Sequence, residues 1–379
     1  MFAVFKTFFL LGCISFGGPA AHIGYFRRAF VSQRRWLSDQ QFAQFVALSQ
    51  FLPGPGSSQL GFAIGYQRRR LPGAIAAFVG FTLPSVLLML MLAMASHQWQ
   101  DSHSFVAVVH GLKLLAVVVV ADAALGMFNN FCRHRVTASV AILSAAVLLM
   151  APTLATQMLV LLMAALLGAR RGRATPAYEA VDGHWRWRPL LLFAALMLLP
   201  LALPGQPLAQ LFGQFYQAGT LVFGGGHVVL PLLQQLVGDT LSPEQFLGGY
   251  AAAQAMPGPM FTLATFLGFQ LSPTTPLIGA LLATIAIFLP GFLLLLTVLG
   301  RWQSLACHPR CAGAIEAVNA SVVGILIAAL YDPVFVSSVA SGQDMAQVLL
   351  GLALLRGMKM PIVALVAGFL LIGVVPTLV

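Results

Sequence analysis

The sequence predicts an all-α polytopic membrane protein, built as an inverted-topology repeat with re-entrant or broken helices. Three observations carry this. Only 8% of the 379 residues are charged while 59% are hydrophobic, and the mean hydropathy is +0.90. A soluble domain carries roughly 25% charged residues, so this chain has too few to cover a water-facing surface. Apolar stretches long enough to cross a bilayer recur, most clearly at 71–96, 104–128, 276–299 and 312–331. Finally, four short motifs occur twice in the same order.

The elements follow in chain order. The start, MFAVFKTFFLLGCISFGG, has one lysine and an apolar run but no small-x-small cleavage site, and reads as a retained segment. Segments 2–30 and 39–66 are each interrupted near the middle by glycine or proline. Full spans follow at 71–96 and 104–128, then a hairpin of 137–150 and 153–168, then a single span at 189–204. Segments 206–228 and 243–270 are again broken, and 276–299, 312–331, 345–356 and 361–377 are spans. Four cysteines (Cys13, Cys132, Cys307, Cys311) are too few for a disulfide framework. Cys307 and Cys311 flank His308 at a spacing a metal could use, but ordinary loop cysteines are the simpler reading, and no metal or cofactor is expected.

The duplication sets the domain organisation. SFGG at 15–18, LSDQQF at 37–42, QFLPGP at 50–55 and GFTLP at 80–84 return as VFGG at 222–225, LSPEQF at 241–246, QAMPGP at 254–259 and AIFLP at 286–290. Equivalent loops carry opposite charge. Arg27, Arg28, Arg34, Arg35 and Arg68–Arg70 lie in first-half loops, whereas 228–246 and 270–276 hold no Lys or Arg, only Asp239 and Glu244. By the positive-inside rule, the first set faces the cytoplasm and the second faces outward. The formal charge of +10 thus sits in short loops between spans and marks topology rather than a nucleic-acid face. The expected organisation is a first repeat at 1–188, a linking span at 189–205 and a second, inverted repeat at 206–379. The N-terminus is expected in the cytoplasm and the chain in a bacterial inner membrane. Inverted repeats of this kind build secondary transporters, with the site near the midplane where broken helices meet. No HExxH, GxSxG or Walker A motif is present, so an enzyme is not expected.

The breaks supply the candidate residues. Phe16, Gly17, Gly18 and Pro19 pair with Phe223, Gly224, Gly225 and Gly226. Pro53, Gly54, Pro55 and Gly56 pair with Pro257, Gly258 and Pro259. A half-helix starting after such a break points unpaired N–H groups and a positive dipole end into the gap, which suits an anion; the alternative is a packing kink. Gln50 and Gln254 precede the two PGP turns and can donate to an oxyanion. Ser57 and Ser58 offer hydroxyls or cap the half-helix. His22 and His227 either couple protons or make structural hydrogen bonds. Lys113, deep in span 104–128, either attracts an anion or pairs with Asp122 or Glu316; Asn319 is its approximate repeat equivalent.

FGGPAAHIGYF at 16–26, LSDQQF…QFLPGPGSSQL at 37–60, FGGGHVVLPLL at 223–233 and QAMPGP at 254–259 resemble the paired signatures of the chromate ion transporter family in its long, two-domain form. The resemblance covers nearly the whole chain. It implies efflux of chromate, a dianion shaped like sulfate, and chromate resistance, with an anion channel or a carrier of sulfate or another oxyanion as the alternative. The partners implied are that oxyanion, the lipid bilayer and, as a candidate assembly, a second copy of the chain; nucleic acid is not one. The second PGP departs from the pattern in being followed by Met260-Phe261-Thr262, where a polar Asn is expected.

Overall fold

A computed structural model describes residues 1–16, 18–99, 103–172, 186–223, 229–237, 240–300 and 308–378. Gly17, Gly224–Gly226, His227 and Cys307 lie outside these residues. The described residues are mostly helical and contain no strand. Four helical stretches are long and apolar enough to cross a membrane, Gly56–Ser96, His110–Phe131, Pro276–Val298 and Pro309–Phe335, and they coincide with the four clearest apolar stretches of the sequence. Large apolar side chains such as Leu71, Ile75, Val79, Leu87 and Met91, or Leu277, Ile278, Leu281 and Ile285, stand exposed along outer helix faces. An apolar surface of that extent fits lipid, not water.

The first half runs α1 (Phe2–Ile14), α2 (Gly18–Phe26, continued by a π-helical Arg27–Gln33), α3 (Asp39–Phe51), α4 (Gly56–Trp99), α5 (His103–Phe131), α6 (Arg135–Met150) and α7 (Leu154–Arg171). α8 (Trp187–Ala202) leads to α9 (Pro207–Leu221), α10 (Val229–Val237), α11 (Pro243–Ala255), α12 (Leu263–Gln270) and α13 (Pro276–Val298). The chain ends with α14 (Pro309–Ala329), α15 (Gly342–Leu352) and α16 (Ile362–Leu378).

The repeated LSxxQF motif is a repeated capping box. Ser38 Oγ accepts from Gln41 N–H at 3.2 Å and Ser242 Oγ from Gln245 N–H at 3.2 Å, and each glutamine returns its side-chain oxygen to the cap N–H. Two orphan donors are satisfied at the start of both α3 and α11. Both helices stop for the same reason. Leu52 and Met256 each precede a proline, which disfavours helical backbone, and both take φ −86°, ψ 149°.

α4 is two arms. Arg69 and Arg70 leave helical geometry, and a Cβ on Gly65 or Gly73 would collide with the other residue's carbonyl oxygen. Eight residues of straight helix span about 12 Å, so these arms fold back on one another, as the separate readings of 39–66 and 71–96 require. Gly268 and Gly279 meet in the same way between α12 and α13.

α1 packs on α4, and α9 packs on α13. The last helices of each half are exchanged: α5 packs against α11, α15 and α16, while α14 packs against α6 and α7. One continuous apolar core runs through both halves. A smaller one, with Phe8, Phe26, Phe30 and Phe81 at its centre, lies under α1 and α2. Loops that their charge assigns to one side meet one another. Tyr66 and Leu71 lie with Arg186–Pro189 and Leu296. On the opposite assignment, Leu148–Thr153 lie with Gln234, Gln235 and Tyr331–Pro333, and Gln270 donates to Ser96 Oγ at 2.9 Å.

Candidate functional site: two reciprocal crossings of broken helices

Each PGP break of one half is held by the chain just before the FGG motif of the other. Gly54 N–H donates to Val222 O at 2.7 Å, and Gly258 N–H donates to Ser15 O at 2.8 Å. Both glycines have positive φ, +116° and +96°, which an L side chain rarely adopts. The third participant also repeats. A Cβ on Gly258 would lie 2.6 Å from Ser85 Oγ, and one on Gly54 would lie 3.1 Å from Gly291 Cα; Ser85 and Gly291 follow the repeated FTLP and IFLP prolines. The breaks therefore do come together, but the Gly54 and Gly258 N–H groups, read from the sequence as free for an ion, are spent on carbonyl oxygens. The donors left over are the first-turn N–H groups of the α4 half-helix at Gly56, Ser57 and Ser58, which have no intrahelical acceptor; the first helical bond there is Gln59 N–H to Pro55 O at 2.9 Å. After the second PGP, a 3₁₀ turn at Met260–Thr262 already uses Thr262 N–H on Pro259 O at 3.0 Å.

The two crossings differ in chemistry. At the Gly258 crossing, His22 is buried and its Nε2 lies 3.1 Å from Ser15 O. A carbonyl only accepts, so Nε2 carries the proton and Nδ1 is a bare acceptor. Nδ1, Ser15 Oγ and Thr82 Oγ1 are buried with no hydrogen-bond partner. Ser85 Oγ donates to Thr82 O at 3.0 Å, and the His22 ring meets Phe81 edge-on at 5.2 Å. At the Gly54 crossing, Gln59 is fully buried and donates through Nε2 to Pro53 O (2.7 Å) and Gly291 O (3.2 Å). Its Oε1 and Ser58 Oγ are buried without partners. Unpaired buried polar atoms are rare and costly in native proteins; five of those among the described residues lie at the two crossings, and the others are on Gln157, Gln234, Gln235, Asn319 and Ser338. Between the crossings runs a line of rings, with Phe62 on Phe292 at 4.3 Å, Phe288 to Phe292 at 6.2 Å and Phe261 to Phe288 at 5.9 Å.

The remaining sequence candidates spread outward. Phe16 and Gly18 flank the first break, and Gly18 with Pro19 opens α2. Ser57 is buried beside Ser58. Gln50 is exposed, with Nε2 turned toward Gly56. Gln254 is buried and bonds to Tyr250 and the Met260 sulfur rather than to the gap. Phe223 ends the described part of its motif. Lys113 is buried on α5, and Asp122, one of its candidate partners, accepts from Arg356 Nε at 2.7 Å. Asn319 is buried with Oδ1 unpartnered, and lines a cavity of about 430 Å³ together with Phe51, Arg133, His134 and Glu316. Among the described residues, no three His, Cys, Asp or Glu side chains gather as a metal site.

The same two-part organisation decides the family. The chromate transporter family matches residues 2–169 and again 209–374, once in each half. The chain belongs to that family. It is 29% identical to a chromate transport protein of Cupriavidus metallidurans over 97% of this chain and 91% of that one. It is 29% identical to a probable chromate transport protein of Synechococcus elongatus (96% and 93%). An uncharacterized transporter of Methanocaldococcus jannaschii is 27% identical (86% and 82%). No solved structure matches.

Sequence reasoning missed Ser15, Gln59, Thr82 and Ser85. Ser15 lies in a repeated motif and Ser85 adjoins one, and comparing the halves there would have singled them out as hydroxyls where the other half has Val222 and Gly291. Thr82 lies within the repeated GFTLP motif, opposite Phe288 of AIFLP, and the same comparison would have found it; Gln59 has no such signal.

Proposed function

We propose that this protein is a secondary transporter that exports chromate from the cytoplasm across a bacterial inner membrane and so confers resistance to it. In this reading, repeats 1–188 and 206–379 are inverted about the linking span 189–205, and the N-terminus is cytoplasmic. Membership of the chromate transporter family supports the substrate, and the reciprocal crossing of the breaks supports the mechanism. Ser57, Ser58 and the first-turn N–H groups of α4 supply donors to an oxyanion without a formal cation. Ser15, Thr82 and Ser85 add hydroxyls. His22, with Nδ1 as an acceptor, suits the O–H of a singly protonated oxyanion, a species chromate forms near neutral pH and sulfate does not. The crossing residues are closed to solvent: Ser15 and Gln59 are 0% exposed, Ser58 2% and Thr82 3%. That closure favours a carrier with an enclosed site over an open channel, and the line of phenylalanines is its gate.

Everted membrane vesicles test the reading. Labelled chromate should accumulate in vesicles carrying this protein and not in vesicles carrying a His22→Asn, Ser58→Ala variant present at the same level. Accumulation equal to the wild type in the variant would remove the crossing as the site. Cysteine labels at 69 and at 273 should react from opposite faces, and reaction of both from one face would end the inverted arrangement.

A further inference from the structure

A second site lies away from the crossings, where three chain ends meet. A cavity of about 580 Å³ is lined by Tyr66, Leu71, Arg186, Trp187, Arg188, Pro189 and Leu296. It lies beside the turn between the arms of α4, the first turn of α8 and the last turn of α13, so both halves and the linking helix contribute.

Arg186, in the lining, and Arg70, beside it, are held in place by Tyr66. Arg186 donates to the Tyr66 hydroxyl. The Arg186 and Arg70 guanidinium groups stand 5.4 Å and 5.9 Å from the centre of the Tyr66 ring, a geometry in which the ring face attracts the cation. None of Arg70, Arg186 and Arg188 takes part in an ion pair among the described residues, and none of the described lining residues is acidic. The rest of the lining is apolar: Leu71, Trp187, Pro189 and Leu296. Tyrosine and tryptophan beside arginine at helix ends mark the membrane–water interface. α8 supplies an independent observation. None of its residues is fully buried, and its main packing is on α9 and α13 of the second half, so its tie to the first half runs chiefly through this cavity.

We infer that this cavity binds the headgroup of an anionic phospholipid, with the phosphate on Arg186, Arg188 and Arg70 and the start of an acyl chain on Leu71, Trp187 and Leu296. Arginine forks match phosphate oxygens in pairs, and basic pockets between spans on the cytoplasmic side take such headgroups. The lipid fastens the linking helix to the α4 turn and to α13, and so ties the two halves together.

Native mass spectrometry of the purified full chain, released from detergent with added phosphatidylglycerol or phosphatidylcholine, tests this. The wild type should retain phosphatidylglycerol and not phosphatidylcholine. Each arginine removed should lower retention about fivefold, the equivalent of about 1 kcal/mol per cation near the surface. An R186Q/R188Q variant should therefore lose most of it, whereas R170Q/R171Q, with the same charge removed elsewhere, should keep it. R188Q alone leaves the Tyr66 contacts intact and should lose its fivefold even if the double variant folds poorly. Equal retention in R188Q and the wild type, or equal loss in R170Q/R171Q, would overturn the inference. Full displacement of the lipid by millimolar inorganic phosphate would overturn it too, by making the site one for free phosphate.

Discussion

Replacing Gly258 by alanine puts a methyl group 2.6 Å from Ser85 Oγ, and it does so at φ +96°. Two costs follow. The backbone cost of a non-glycine residue in that region is about 1–2 kcal/mol. Crowding in a packed interior adds about 1–3 kcal/mol. Only the second depends on Ser85, so the two can be separated by a double-mutant cycle. Ser85→Gly recreates at this crossing what Gly291 already provides at the other. Gly258→Ala should lower stability by about 2–5 kcal/mol, and adding Ser85→Gly should return about 1–3 kcal/mol of that while leaving the backbone cost. Thermal melting of the purified protein gives the energies, and chromate accumulation in everted vesicles follows function. Gly258→Ala should also weaken the 2.8 Å bond from Gly258 N–H to Ser15 O, so transport should fall more steeply than stability. Additive effects of Gly258→Ala and Ser85→Gly would show that the break does not press on Ser85, and the crossing as described would be wrong.

Three further outcomes are expected. Lys113→Gln should cut chromate accumulation tenfold or more at an unchanged protein level while Lys113→Arg keeps part of it, since a unit charge near an ion in a protein interior is worth several kcal/mol; a drop in protein level instead would make Lys113 part of the scaffold. Asp344, at the head of α15, is buried, which alone would raise its carboxyl. Hydrogen bonds from His110, Ala340 N–H and Ser341 outweigh that and hold it below the usual carboxylate range. Its stabilising contribution should be full above about pH 4 and lost as pH falls through the lower folded value, so the melting advantage over Asp344→Asn should shrink only as pH falls below about 4, and a constant advantage would refute this. Finally, a chain split within 173–185 should accumulate and transport only when both pieces are made together, and a stable first piece alone would contradict the exchange of hairpins.

Much of the fold was legible because it is written in side chains. The spans follow from apolar length, and the helix starts at Ser38 and Ser242 from a capping box that repeats. The helix ends at Leu52 and Met256 follow from the prolines behind them. The crossings were only half legible. Glycine and proline announced that the chain breaks at 53–56 and 257–259, yet the partner of each break is a backbone carbonyl, at Val222 and Ser15. Carbonyls leave no mark in a sequence. The same silence misled the reading of Gly54 and Gly258, since N–H groups that look free when a half is read alone are taken up when the other half arrives. Gln59 was invisible because a single glutamine four residues into a half-helix has no pattern around it, although it bonds across 232 residues to Gly291 O.

The exchange of helices between halves explains why the crossings need both. Within the first half, α5 leaves its own α6 and α7 and packs on α15 and α16, while α14 takes the place beside α6 and α7. A half on its own would leave α5 and the α6–α7 pair without their main partners. It would also leave the Gly54 N–H without Val222, and Ser15 O with only the His22 bond. The two crossings are therefore properties of the pair, and the pairing is where they diverge. Positions that are Val222 and Gly291 at one crossing are Ser15 and Ser85 at the other, so duplication supplied the frame and substitution added hydroxyls to one side. Interior polar atoms without partners are tolerated only where something else repays them, and the Gly258 crossing holds three of them, on Ser15, Thr82 and His22, whose tautomer is fixed by Ser15 O. In the proposed reading, a transported ion with oxygen acceptors and one O–H would offer those groups the partners they lack. That proposed match, rather than any single charged residue, is what would make the polar crossing a site for an oxyanion.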